Sequence, residues 1–320
     1  MAKEQYLEFE RPVLNIAARM RELEEAQATG QPVATRDIKG ELEQLEIERV
    51  RVLRHLYRQL SPWQKVQVAR HPARPQPRYY IKNLLTDFQE LAGDRQFADD
   101  TALIGGIGQF QGQTVMMLGT DKGTNTQQRM ANNFGMPRPE GYRKAQRLMQ
   151  LADQFGLPLI TMVDTPGAYP GVDAEARGQA EAIARIIEVS MGLNIPMLTV
   201  ITGEGGSGGA LALATADKVM MLEHSTYSVI SPEGCASILW REATKETVPQ
   251  AADALQLTAQ SAAKQGLIDK VIKEPVGAAH RDPTLAVQRM ATALQDALSS
   301  LTQQKAGSLK AARRAKFSQF

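Results

Sequence analysis

Cysteine is almost absent: Cys235 is the single one in 320 residues. No disulfide can close within the chain, which predicts a reducing compartment, and no thiolate-rich zinc site can be built from it. Cys235 itself lies in Ser231-Pro232-Glu233-Gly234-Cys235, with no basic neighbour in sequence to activate it, and reads as a buried structural thiol. Aromatic residues supply only 5% of the chain, too few for a base-stacking platform. An excess of one charge is missing too. With 37 basic residues against 35 acidic ones, neither nucleic acid nor a membrane surface is an expected partner. No run approaches the ~18 apolar residues of a membrane-spanning helix, and the start, MAKEQYLEFERP, has no apolar stretch like that of a secretion signal. A cytoplasmic location is expected. What is present, 43% hydrophobic and 22% charged residues, suits one large core with or without an extension.

Residues 11–60 carry two helical patterns. Val13, Ile16, Met20 and Leu23 share one face, as do Val50, Leu53, Tyr57 and Leu60, and Gly30-Gln31-Pro32 separates the sets. The stripes are narrow and must dock, either on the chain's own core or on a second subunit. The Pro-rich passage from His71 to Pro77 then reads as a linker or strap. His55 and His71 have no ligand-like neighbours. From about residue 100, short apolar runs alternate with helical patterns. Strands are expected at 102–107, 114–118, 157–163, 197–202, 219–222 and 226–230, with helices at 142–155, 174–191 and 209–216. The first two, joined by Gln111-Gly112-Gln113, suggest an antiparallel hairpin leading into a largely parallel α/β domain. The expected units are an N-terminal hairpin and linker (1–80), an α/β domain (81–290) and a C-terminal helix end with a basic tail (291–320). Lys305, Lys310, Arg313, Arg314 and Lys316 give that tail its charge, and it is expected to be solvated.

The chemistry is concentrated in two strand–turn–helix units. One runs from Leu159–Val163 into Asp164-Thr165-Pro166-Gly167-Ala168-Tyr169-Pro170-Gly171. The other runs from Met197–Ile201 into Thr202-Gly203-Glu204-Gly205-Gly206-Ser207-Gly208-Gly209. Bare turns at helix starts expose N–H groups, and the helix dipole favours negative charge there. Two such turns from neighbouring strands would supply converging donors, the arrangement of an oxyanion hole. Three other readings stay open. Gly203, Gly205 and Gly208 match a dinucleotide fingerprint, with Glu223 twenty residues beyond Gly203. Gly205-Gly206-Ser207-Gly208-Gly209 matches a nucleophile elbow, with Asp269 and His280 in hydrolase order. Finally, the glycines could serve helix–strand packing alone.

Taken together, DTPGAYPG (164–171), GEGGSGGALA (203–212) and HSTYSVISPEGCASILW (224–240) resemble the α subunits of bacterial acetyl-CoA carboxylase carboxyltransferases, within the crotonase superfamily. Ala69-Arg70-His71-Pro72, ELAGDR (90–95), NFGMP (133–137) and PEGYRKAQRLMQ (139–150) extend the likeness to nearly the whole chain. The resemblance implies a crotonase-like fold of stacked ββα units. It implies transfer of a carboxyl group from carboxybiotin, borne by a biotin carboxyl carrier protein, to acetyl-CoA, giving malonyl-CoA for fatty acid synthesis. It further implies an α2β2 heterotetramer with a zinc-containing β subunit, working beside biotin carboxylase, and no metal in this chain. On that basis the amides of Gly208 and Gly209, with Gly167 and Ala168 opposite, are the expected oxyanion donors. Gly205, Gly206, Tyr169 and Lys122 are expected to bind substrate, and a branched side chain at Gly208 is expected to intrude on the hole. Asp164, Glu204 and Asp173 read first as structural. A single-chain isomerase or hydratase, using Glu204 or Glu233, and a serine hydrolase using Ser207 are the alternatives. Two departures from the family pattern stand out. Asp121-Lys122-Gly123-Thr124 replaces an expected Gln-Lys-Gly-Arg, and Ala278 stands where a glycine is expected before His280.

Overall fold

The computed structural model describes residues 5–29, 37–304 and 306–319. Eight strands form one sheet: β1 (Thr86–Glu90), β2 (Leu103–Phe110), β3 (Gln113–Thr120), β4 (Leu159–Thr165), β5 (Met197–Gly206), β6 (Lys218–Leu222), β7 (Thr226–Ser228) and β8 (Lys270–Ile272). The order is β1-β2-β3-β4-β5-β6-β8, with β7 paired to the far end of β5. Pairing is antiparallel through β1, β2 and β3, and parallel from β3 onward. Gln111 and Gly112, both at positive φ, close the β2–β3 hairpin, because a turn of that hand follows the strand twist. β5 serves two neighbours in turn. Its residues 198–201 pair with β6, and 204–206 pair with β7, so the strand carries the chain past the sheet edge to the second glycine turn.

The helices are α1 (Arg11–Thr29), α2 (Ile38–Arg58), α3 (Pro62–Ala69), α4 (Pro77–Leu84), α5 (Thr126–Ala131), α6 (Pro139–Phe155), α7 (Val172–Ala176), α8 (Gln179–Gly192), α9 (Ser207–Ala214), α10 (Pro232–Leu239), α11 (Thr247–Ala254), α12 (Ala259–Lys264), α13 (Pro283–Thr302) and α14 (Ala306–Phe317). The central strands are mostly apolar because both faces are covered, and the buried Thr161 and Thr199 within them bond to each other and to the Leu213 carbonyl. Met116, Leu118, Leu159, Val163, Met197 and Ile201 pack on one side with Tyr142, Leu148 and Ile186 of α6 and α8. Met117, Ile160, Met162, Leu198 and Val200 pack on the other with Tyr80 and Ile81 of α4 and Met290 and Leu294 of α13.

Four expectations need correction. The helix expected at 174–191 is two, α7 and α8, separated at Gly178, where φ is +85°. The Pro-rich passage is no surface linker: Arg74 is buried, its guanidinium bonded to Glu274 and to the Thr202 carbonyl. Pro77 opens α4 rather than excluding a helix, since an N–H in the first turn has no intrahelical partner to lose and the fixed proline φ suits that position. The described part of the basic tail is not simply solvated either, and Lys305 lies outside the described residues. Helix α14 docks through Arg313, which is 1% exposed and has all five N–H donors engaged, by Asp217 and by the carbonyls of Ser190, Leu193 and Ile195. Replacing Arg313 with Met should release α14 while α13 stays packed. Limited proteolysis should then cut between the two helices in the variant and leave the parent chain whole.

The N-terminal hairpin docks at its base on the chain's own body. Val13, Leu53 and Tyr57 pack with Val68 and Ala278, and Glu10 accepts hydrogen bonds from Tyr57 and Arg281. The proposed break at Gly30-Gln31-Pro32 lies outside the described residues.

Candidate active site

Strands β4 and β5 are parallel neighbours, so their C-terminal turns emerge side by side. The turns press on each other. A Cβ on Gly209 would lie 2.6 Å from the Ala168 nitrogen and 2.7 Å from the Gly167 carbonyl carbon, and one on Gly206 would fall inside the Pro166 carbonyl. Glycine is required at both positions by this backbone-to-backbone approach. Ser207 then turns the chain into α9 with φ of +53°, a left-handed conformation unusual outside glycine. No side chain caps α9, which leaves the Gly208 and Gly209 amides, in its first turn, as donors without a cap. From the facing turn, the Gly167 amide is already held by the Thr165 hydroxyl at 3.1 Å. Ala168 is half-buried beside it. Of the four expected donors, Gly208 and Gly209 thus sit in the uncapped first turn of α9, Ala168 lies against Gly209, and the Gly167 amide is engaged by Thr165.

Beside the α9 start lies a cavity of about 400 Å³, lined mostly by apolar groups that include Gly208, Leu211, Tyr227, Val229, Leu255 and Leu267. Gly205 and Gly206 line a separate small cleft with Pro166 and Glu204. Tyr169 is fixed from above by the Arg138 guanidinium, 4.3 Å from its ring centroid, and from behind by the Pro137 carbonyl, which accepts its N–H. Asp173 pairs with the same Arg138 and with Arg177.

Beneath the turns runs a chain of ion pairs. Lys122 lies 2.6 Å from Asp164 and 3.1 Å from Glu204; Arg70, just past the end of α3, joins Glu204 to Glu233 of α10. Asp164 also accepts the Glu204 N–H. Burial pushes the Glu204 pKa up, but Lys122 and Arg70 outweigh it and hold the carboxyl below its ordinary value. Lys122 thus faces two carboxylates, and any anion reaching it has to compete with both. Asp164, Glu204 and Asp173 hold the site's frame together, as their structural reading expects.

A family model described as "Acetyl co-enzyme A carboxylase carboxyltransferase-like" matches residues 6–320. The chain belongs to this family. Among its relatives, the acetyl-coenzyme A carboxylase carboxyl transferase subunit alpha of Paramagnetospirillum magneticum is 54% identical over 97% of this chain and 96% of its own length. The subunit of the same name from Rhizorhabdus wittichii is 51% identical over 98% of both chains. Among solved structures, the transcarboxylase 12S hexamer core superposes with a TM-score of 0.57 at 23% identity, over 71% of this chain and 42% of that one. The β subunit of Pseudomonas aeruginosa geranyl-CoA carboxylase does so with 0.54 at 18% identity, over 75% and 45%. The chain thus spans less than half of each of these two structures, and the likeness to them establishes the fold, a crotonase-like carboxyltransferase fold.

Seen as a family member, the chain resolves its competing readings. Gly203, Gly205 and Gly206 stay within β5, so no phosphate-wrapping loop forms, and Glu223 pairs with Lys273 instead of standing free. Ser207 does have an elbow-like backbone, yet its supposed partners are engaged elsewhere. His280 stacks on His71 at 3.9 Å between ring centroids, and Asp269 binds Lys316 and the Val219 amide. Glu204 and Glu233, the candidate acids of an isomerase, share Arg70. The two departures have local causes. Asp121, the acid gained, is answered by Arg78 at 2.6 Å and caps the Gly123 amide. Ala278 has φ of +74°, the conformation for which a glycine is expected there. Sequence reasoning missed the parts played by Arg70 and Thr165. Arg70 sits in a quoted motif, but its partners lie 134 and 163 positions away, beyond any spacing rule.

Proposed function

We propose that this chain is the α half of a carboxyltransferase that moves a carboxyl group from carboxybiotin to acetyl-CoA, giving malonyl-CoA. The observation that carries the reading is the uncapped start of α9, pressed against the 166–168 turn at the mouth of an apolar cavity. Such a cavity with donors at one end fits an apolar bicyclic ring bearing one polar ureido edge. When bound, carboxybiotin supplies a carboxyl group on ring nitrogen N1 and a ureido oxygen that gains negative charge as the carboxyl departs. The Gly208 and Gly209 amides, with the α9 dipole behind them, stabilise negative charge at that point, and the Ala168 amide approaches from the facing turn. Tyr227, Val229 and Leu255 of the cavity wall would border the ring, Gly205 and Gly206 lie in the adjoining cleft, and Lys122 holds the frame by its ion pairs. The turns are set by backbone contact before any ligand arrives, so little reorganisation is needed during reaction. Among the described residues, the carboxylates nearest the turns are tied to Arg70 and Lys122. The proton of the acetyl methyl group therefore goes to an acceptor outside this chain.

The α-subunit relatives imply a β partner. Its zinc-bearing nature, the carrier protein, biotin carboxylase, the α2β2 assembly and a cytoplasmic setting all belong to the same proposal. An apolar surface supports the partner: Val229, Ile238 and Leu239 are 78%, 70% and 63% exposed, and Trp240 adjoins them in sequence. Among the described residues no helix is long and apolar enough to cross a membrane. The test is malonyl-CoA decarboxylation in the presence of biocytin. The purified chain alone should give no turnover, and adding the β partner should switch it on. Full activity from the lone chain would defeat the half-site reading.

A further inference from the structure

A second cavity, of about 380 Å³, lies away from the glycine turns, where the N-terminal hairpin meets the C-terminal ends of β6 and β8. Its walls come from five places in the chain. Arg54, Tyr57 and Arg58 belong to the last turns of α2, Lys65 to α3, Glu223 and His224 to the segment after β6, Gln260 to α12, and Lys273–Gly277 to the segment after β8. Four cations, Arg54, Arg58, Lys65 and Lys273, border it against two carboxylates. One of those, Glu274, is already neutralised by the buried Arg74. The other, Glu223, pairs with Lys273 at 2.6 Å. Lys65 is offered only a neutral partner, the Gln260 side-chain oxygen. Arg54 and Arg58 have no ion-pair partner among the described residues.

Such an excess of one charge in a concave, protein-walled site concentrates counter-ions, because field lines leave through the open mouth rather than the low-dielectric walls. Scattered surface cations would do none of this, and the wall holds a second sign of a ligand. His224 is 4% exposed and lines the cavity, and its buried Nδ1 has no hydrogen-bond partner among the described residues. A buried polar atom left unpaired costs about 1–3 kcal/mol, and a turn of the imidazole ring would present a nitrogen to an incoming group. Burial also lowers the Lys65 pKa, a cost that an arriving anion removes.

We propose that this cavity is a binding site for a phosphate group, held by Arg54, Arg58 and Lys65 and touched by His224. A phosphate offers several acceptor oxygens to the guanidinium forks and, when singly protonated, a donor for an imidazole nitrogen. The site is separate from the glycine turns and does not depend on their function. Because the hairpin supplies two of the arginines, binding there also ties the hairpin to the body.

The test is isothermal titration of the full chain, at constant ionic strength, with inorganic phosphate, pyrophosphate and adenosine 5′-diphosphate. Saturable binding of at least one is expected, and the tightest of the three tells a free phosphate from one carried on an organic molecule. Arg58→Gln with Lys65→Gln should weaken it at least tenfold. His224→Phe, which keeps ring and packing, should weaken it severalfold. Arg51→Gln, on an exposed part of α2, should leave it unchanged. Circular dichroism would verify that each variant is folded. Non-saturable heats for all three ligands, or binding that survives the Arg58/Lys65 double change, would overturn the proposal.

Discussion

Gly209→Ala should cost carboxyl transfer a factor of about 10²–10³ or more, while Ser207→Ala stays within about tenfold of the parent. The difference rests on where each added or removed atom points. A Cβ at Gly209 would lie 2.6 Å from the Ala168 nitrogen and 2.8 Å from the Tyr142 hydroxyl, which is buried and has no hydrogen-bond partner among the described residues. Backbone on one side and a buried ring on the other cannot move aside. The start of α9 must therefore lift from the facing turn, and the donors part. Ser207 is exposed and is asked to attack nothing. At Gly208 a branched side chain is expected to intrude on the hole, whereas a lone methyl group has room. A Cβ there would meet Ile183 at 3.8 Å, ordinary van der Waals contact, so Gly208→Ala should be mild. The assay is malonyl-CoA decarboxylation with biocytin in the presence of the β partner, with sizing to verify assembly. Parent-like turnover from Gly209→Ala, or covalent labelling of Ser207 by a fluorophosphonate together with inactivation of Ser207→Ala, would overturn the donor-turn account.

Why those turns were visible in the sequence, and much of their support was not, is a matter of range. The strands β4 and β5 announce themselves as apolar runs, each with a single central threonine, because both their faces are buried, and the glycines that follow are local features of the chain. The β2–β3 hairpin is likewise local, set by Gln111 and Gly112. By contrast, β1 reads Thr-Asp-Phe-Gln-Glu and is mostly exposed at the sheet edge, so it carries no alternation to read. Helices α3 and α4 each begin with a proline, which looks like a breaker unless the N1 position is already known.

Charged residues were the least legible. Arg313 read as solvated in sequence, and nothing there marked Arg74 or Arg70 as partnered, because charge is ordinarily left in water. Their actual partners are Glu274, Asp217, Glu204 and Glu233, at separations of 96 to 200 positions. Only the folded sheet brings those pairs together, and each ties a peripheral segment to the body that carries the glycine turns. Arg70 is the clearest case, since one guanidinium joins α3, the end of β5 and α10. The site's donors are therefore written locally, and the frame that keeps them in place is written across the whole chain.

Removing the Glu274 carboxylate should destabilise the fold by about 3–5 kcal/mol, the usual cost of leaving a buried charge without its partner. Arg74 and Glu274 form a two-pronged pair at 2.7 and 2.9 Å, and the same carboxylate accepts the amides of His224 and Ala279. Both side chains are shut off from solvent. Burial alone would raise the Glu274 pKa, but the Arg74 charge and these hydrogen bonds bring it down to about 2 from 4.5. A depressed carboxyl pKa contributes stability that is complete above its unfolded value and is lost as pH falls through the folded one. The window is therefore pH 4.5 down to about 2, and the shift corresponds to about 3 kcal/mol. Glu274→Gln keeps the shape but removes the charge, so its unfolding midpoint in denaturant should drop at neutral pH and lose this group's share of the fall across the acid window. Arg74→Met combined with Glu274→Leu should recover much of the loss, because no buried ion then lacks a counter-charge. A Glu274→Gln protein as stable as the parent at pH 7 would mean that the pair does not hold the Pro-rich strap to the sheet.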